Sequence, residues 1–140
     1  MTDLGVTGGS DGEVPMIEFV SPIPGFPHQR RFFLLRLEDD GLIYALTSVE
    51  DPSLRFIVVP PPAFFPDYAP EIDDETLAML DVDDPGRLLT LVVVTTGPTA
   101  ADATANLMAP IIVDPVTRRA VQAILAGSGL PVRRKLLAVA

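Results

Sequence analysis

Carboxylates are the side chains of this chain whose number and spacing could do chemistry. Asp73-Asp74-Glu75 and Asp81-x-Asp83-Asp84 form two short acidic runs, the kind of cluster that holds Ca²⁺ or Mg²⁺ through oxygen ligands. The ligand spacing of an EF-hand loop is missing, however, and helix capping and solvation account for the same acids. His28 is the only histidine and follows Pro27 in a turn segment, so there is no second imidazole for a zinc pair. Ser10, Ser21, Ser48, Ser53 and Ser128 all lack a Gly-x-Ser-x-Gly context. No cysteine is present, and neither a glycine-rich phosphate loop nor a Walker motif occurs. Nothing in the spacing specifies a carboxylate pair for acid–base catalysis. The expectation is a protein that is not an enzyme, with no catalytic residues, cofactor or metal.

The elements that would carry these acids read as mainly β. Val14–Val20, Phe32–Leu37, Leu42–Leu46, Leu54–Val59 and Leu88–Thr96 are short apolar, β-branched or aromatic runs separated by Gly, Pro and Asp turns. Asp40-Gly41 between two apolar runs predicts a hairpin. Leu88–Thr96, the most apolar run, predicts a central strand covered on both faces. Thr104–Leu125 reads as one further hairpin, with Asp114-Pro115 at its turn and Asn106 bonding nearby backbone at its entry. The helix predicted from sequence is Asp73–Leu80: Asp73 caps it, Asp74 and Glu75 suit its positive end, Leu77 and Leu80 face inward, and Asp83–Gly86 end it. About eight strands with one or two short helices predict a small antiparallel β-barrel-like domain. Its expected limits are residues 14–126, between a flexible N-terminal tail at 1–13 and a basic, then apolar, C-terminal tail at 127–140.

Composition excludes several functions. With 140 residues, 48% hydrophobic and a mean hydropathy of +0.36, the chain can bury a core and is not disordered. No apolar run reaches the roughly 18 residues needed to span a bilayer, and no signal segment is visible. The net charge is −9, and thirteen of the nineteen acids fall between Glu38 and Asp84, where Arg55 is the only base. Phosphate-backbone binding needs clustered Lys and Arg, so direct nucleic-acid binding is not expected, whereas an acidic face steers toward a basic protein. Glu50, Asp51, Asp67, Glu71, Asp73, Asp74 and Glu75 are the candidate partner-binding acids, with Tyr68 beside them.

Several separate motifs, in order, resemble the FliW flagellar assembly factors. Pro24-Gly25-Phe26 matches that family's Pro-Gly-Phe element, and Phe26 is expected to plug one end of the core. Pro60–Pro70, with Pro61 or Pro62, Phe65 and Tyr68, is similar to its Pro-x-x-Phe-x-x-x-Tyr loop. Here Phe64 and Phe65 are expected to cap a barrel end. Thr104, Asn106, Leu107 and Pro110, followed by an aliphatic run and Gln122, match its Thr-x-Asn-Leu-x-x-Pro segment and the Gln on the return strand. Thr47 stands where the family usually has Gln, and Leu130-Pro131 stands where relatives carry an aromatic residue. The resemblance implies a β-barrel protein that binds the RNA-binding regulator CsrA and flagellin, and the absence of cysteine makes the cytoplasm its expected location. Exchange of these partners would relieve repression of flagellin translation. The alternatives from other classes are a β-barrel interaction adaptor with other partners and a metal-assisted hydrolase.

Overall fold

The computed structural model describes residues 15–37, 42–125 and 127–136. The expected N-terminal tail, the Glu38–Gly41 turn and the last four residues lie outside them.

Among the described residues, nine strands form one sheet: β1 (Met16–Phe19), β2 (Arg31–Arg36), β3 (Tyr44–Ser48), β4 (Arg55–Val59), β5 (Leu89–Thr95), β6 (Thr104–Ala105), β7 (Ile111–Asp114), β8 (Arg119–Gln122) and β9 (Arg134–Lys135). Seven of them close a barrel in the order β1-β2-β3-β4-β5-β7-β8 and back to β1, while β6 and β9 extend the sheet from the end of β5. All pairs are antiparallel except one. The ring closes through a parallel pairing of β1 with β8, Glu18 opposite Arg119 and Phe19 opposite Ala120. Closure removes the open edges that a sheet of this size would otherwise expose.

Alternation along each strand builds the interior. Ile17 and Phe19 of β1, Phe32 and Leu34 of β2, and Tyr44 and Leu46 of β3 point inward and are at most 2% exposed. They join Val58, Leu91, Ile111, Val113 and Ala120 in a single cluster. Phe19 and Phe32 meet edge to face with ring centroids 5.4 Å apart, a favoured aromatic geometry. The outer face is covered in two places. On β7 and β8, Ile112, Val121 and Ala123 pack under Leu77, Leu80 and Val82, which belong to or follow the helix α1 (Asp74–Leu80). On β4 and β5, Val59, Val92 and Val94 pack under Phe64, Phe65 and Tyr68 and under Leu130 and Leu136. Strand β5 is therefore covered on both faces, as its composition predicted.

Two elements differ from the sequence reading. Thr104–Leu125 is not one hairpin: β6 pairs with β5 and β9, and only β7 and β8 pair with each other, Ile111 opposite Gln122 and Asp114 opposite Arg119. The segment between interrupts the ladder because Asn106 takes up its amides and Pro110 has no N–H to donate. The helix has the expected Asp73 cap and Leu80 end, but its stop is Asp81 and not Asp83–Gly86. It ends at Leu80, with Asp81 left-handed at φ 56° and its N–H returned to the Leu77 and Ala78 carbonyls. Asp tolerates that conformation, so no glycine is required there. Pro85–Arg87 instead form a separate 3-10 turn.

Candidate partner-binding surface

Asp73 caps α1, accepting the Thr76 amide on Oδ1 at 2.8 Å. The hydroxyl and amide of Thr76 hold its carboxyl below the usual carboxylate range. Asp74 and Glu75 occupy the first turn and are exposed. The helix lies against β8, and the two elements border a cleft. Glu71, Asp73 and Glu75 form its acidic side, and Met79, Ile124 and Leu125 its apolar side. A second depression continues from it past Pro70 to Leu130, sharing Glu71, Asp73, Ile124 and Leu125. Ile124 is 53% exposed, a large apolar side chain beside three carboxylates. Carboxylates bordering an apolar floor suit a segment that presents Lys or Arg around an apolar stripe.

The other candidate acids lie in different surroundings. Glu50, in the turn after β3, accepts the Arg31 Nε at 2.9 Å on one oxygen and the Arg30 and Arg31 amides at 3.3 Å on the other. Desolvation pushes its pKa up, but the Arg31 and Arg30 hydrogen bonds and the Arg31 charge outweigh that and hold it below normal. Asp51 is engaged within its own turn, accepting the Ser53 hydroxyl at 2.6 Å and amide at 3.1 Å. Asp67 lines a separate pocket with Phe64, Phe65, Tyr68, Leu107 and Arg134. There the Arg134 guanidinium sits 5.8 Å over the Phe65 ring, and the Tyr68 hydroxyl donates to the Leu107 carbonyl at 2.6 Å. Burial pushes the Tyr68 phenol up to about 12, so it stays a donor at neutral pH.

The family-motif residues build the frame beneath these surfaces. Pro24 and Gly25 occupy the middle of a tight turn, with Gly25 at φ 91° and the Phe26 N–H bonded to the Ile23 carbonyl at 2.9 Å. A positive φ at that position suits glycine. The turn lays Phe26 edge-on to Phe56, 5.4 Å between centroids, against the interior core. Phe65 is 7% exposed, and Leu107 and Pro110 are buried. Thr104 pairs with Thr95 and Lys135. Asn106 Oδ1 accepts the amides of Met108 and Ala109 at 3.0 and 3.2 Å, and Gln122 Nε2 donates to the Ala109 carbonyl at 3.0 Å.

Sequence reading missed one polar centre. Asp114 is fully buried at the β7–β8 turn, held by Arg87, the Val116 amide and the Thr117 hydroxyl. Asp114-Pro115 signals a turn in the sequence, but its partner lies 27 residues away. Among the described residues, no three His, Asp or Glu side chains come together to hold a metal ion, and no helix is long and apolar enough to cross a membrane.

The sequence profile of the FliW protein family matches residues 4–136. The chain belongs to that family. Flagellar assembly factor FliW of Bacillus subtilis is 38% identical over 116 residues, 83% of this chain and 81% of that protein. The Geobacillus kaustophilus factor is 36% identical over 124 residues, covering 89% and 85%. A crystal structure of the flagellar assembly factor FliW superposes with a TM-score of 0.83 at 32% identity, covering 89% of this chain and 86% of that one. The mainly β barrel anticipated from strand spacing is the FliW fold.

Proposed function

We propose that this FliW-family flagellar assembly factor works by binding. One partner is a CsrA-type RNA-binding regulator, the other is flagellin, and exchange between them releases flagellin translation from repression. The observation that carries the first half is the cleft beside α1, where Glu71, Asp73 and Glu75 border an apolar floor that includes exposed Ile124. A regulator that presents basic surface to RNA matches that charge, and a chain of net charge −9 repels RNA itself. Flagellin's terminal segments are amphipathic helices, which dock through an apolar stripe. The Pro60–Pro70 loop is scaffold for such contacts more than free surface, because Phe65 is buried and Tyr68 is tied to Leu107.

Glu71→Lys with Glu75→Lys tests the electrostatic half while leaving the Asp73 cap intact. Association with CsrA, followed by stopped flow over a salt series, is expected to slow by about tenfold at low salt and to lose most of its salt dependence. Unchanged rates and slope in the double variant would remove this cleft from the interaction.

A further inference from the structure

The seam that closes the barrel is short, and one edge of β8 runs on past it. From the β1 side, Glu18 N–H donates to the Arg118 carbonyl and Val20 N–H to the Ala120 carbonyl, both at 2.9 Å. The next bond that a parallel ladder would make, from Gln122 N–H to the Val20 carbonyl, is absent. Strand β1 has ended at Phe19, and the chain departs through Ser21-Pro22. The other edge of β8 stays paired further along, where Ala123 N–H donates to the Pro110 carbonyl and Leu125 N–H to the Met108 carbonyl. Backbone groups alternate between the two edges of a strand, so those of Gln122 and Ile124 point away from β7. Among the described residues, the Gln122 N–H and the Ile124 N–H and C=O have no hydrogen-bond partner. Both residues line the cleft beside α1.

We infer that this cleft takes an extended segment of a partner protein, added as a strand to the open edge of β8, in which Lys or Arg alternates with apolar residues. Successive unpaired N–H and C=O groups are matched by another extended backbone, and not by a helix, whose own groups are already paired. Alternation sorts the side chains of the added strand. Helix α1 lies on the face of β8 that carries Val121 and Ala123, and Ile124 belongs to the opposite face. Residues added on the first face stand beside Asp73 and Glu75, and those on the second beside Ile124. Charge selects a basic segment. No Lys or Arg lines the cleft or its continuation toward Leu130, and Glu71 and Glu75 make no ion pair among the described residues. The same carboxylates disfavour a second copy of the chain, because pairing two β8 edges would set one acidic cleft against another. The inference rests on the cleft proposed above as a binding site and adds the conformation that it recognises.

The test is titration of the full chain with a synthetic peptide of about seven residues, blocked at both ends, in which lysine and valine alternate. At saturating peptide, amide hydrogen exchange is expected to slow at least tenfold at Gln122 and Ile124. A peptide with glutamate in place of lysine should bind at least tenfold more weakly. Two further peptides carry N-methyl groups on the lysine amides alone or on the valine amides alone. Successive amides of a strand point to opposite sides, so only the peptide whose methyl groups face β8 should lose binding, by at least tenfold. Ile124→Pro blocks the edge while leaving the Ala123 and Leu125 bonds in place, and should lose the parent peptide with its thermal midpoint retained. Where that variant does not fold, the N-methyl pair decides. No binding at millimolar peptide, equal affinity of the two N-methyl peptides, or unchanged exchange at Gln122 and Ile124 would each overturn the inference. Any of these leaves the effect of Glu71→Lys/Glu75→Lys on the regulator standing. Protection of Ile124 by the peptide, with a regulator indifferent to that double variant, keeps the edge site and removes the regulator as its partner.

Discussion

Arg87 Nη2 lies 2.6 Å from Oδ2 of Asp114 and ties the 3-10 turn before β5 to the turn between β7 and β8. The Asp114 side chain is completely buried and that of Arg87 is 41% exposed, so one end of the pair is in water and the other is not. The arrangement makes Arg87 the partner that cannot be lost cheaply. Arg87→Ala leaves a buried carboxylate with only the Val116 amide and Thr117 hydroxyl, and should cost about 1–3 kcal/mol in denaturant unfolding. Asp114→Asn should cost less, because it removes the buried charge along with the ion pair.

Acid should weaken the same joint. Burial raises the Asp114 pKa, but the Arg87 bond and charge with the Val116 and Thr117 hydrogen bonds outweigh it and hold the pKa below the ordinary 3.8. A carboxyl lowered on folding contributes stability above its unfolded pKa and loses that contribution as pH falls through the folded value. Asp73 acts in the same direction. The unfolding free energy should therefore be flat from neutral pH to about pH 5 and fall below about pH 4. Asp114→Asn should shrink the fall, which a pH series of urea melts measures.

Tyr68 responds to base. Its phenol is pushed up to about 12 by burial. The raised value means that its contribution is complete below the unfolded pKa near 10 and is lost as pH rises from there through about 12. Tyr68→Phe removes the bond to the Leu107 carbonyl and should cost about 0.5–1.5 kcal/mol at pH 7. Ultraviolet titration of the phenol, run alongside the melts, checks both statements.

Asn106 is a bracket for the segment between β6 and β7. Asn106→Ala orphans the Met108 and Ala109 amides and should destabilise the protein by about 1–3 kcal/mol. Asn106→Asp keeps an acceptor in place and should recover most of that loss, which thermal melts of the two variants compare.

Much of this was legible in the sequence because it is local. The Asp73 cap, the Pro24-Gly25 turn and the apolar runs of β2 and β3 depend on near neighbours, and pattern reveals them; which of Phe32, Phe33, Leu34 and Leu35 faces inward was not legible, because all four are apolar. The parallel β1–β8 seam was not legible, since no short-range signal joins Glu18 to Arg119 across a hundred residues. Asp114 looked like a turn residue because its partner Arg87 is distant in sequence and adjacent only in the closed barrel. The acids from Glu38 to Asp84 read as one block, but folding sorts those described. Glu50 is bonded to Arg31, Asp51 to Ser53, and Glu71, Asp73 and Glu75 face a shared cleft.

The most direct test is calorimetric titration of this protein with CsrA from the same organism, repeated with flagellin present. The account predicts binding to each, with flagellin lowering the apparent affinity for CsrA and Glu71→Lys/Glu75→Lys weakening the CsrA arm. Binding to neither partner, or CsrA binding that flagellin leaves untouched, would contradict it.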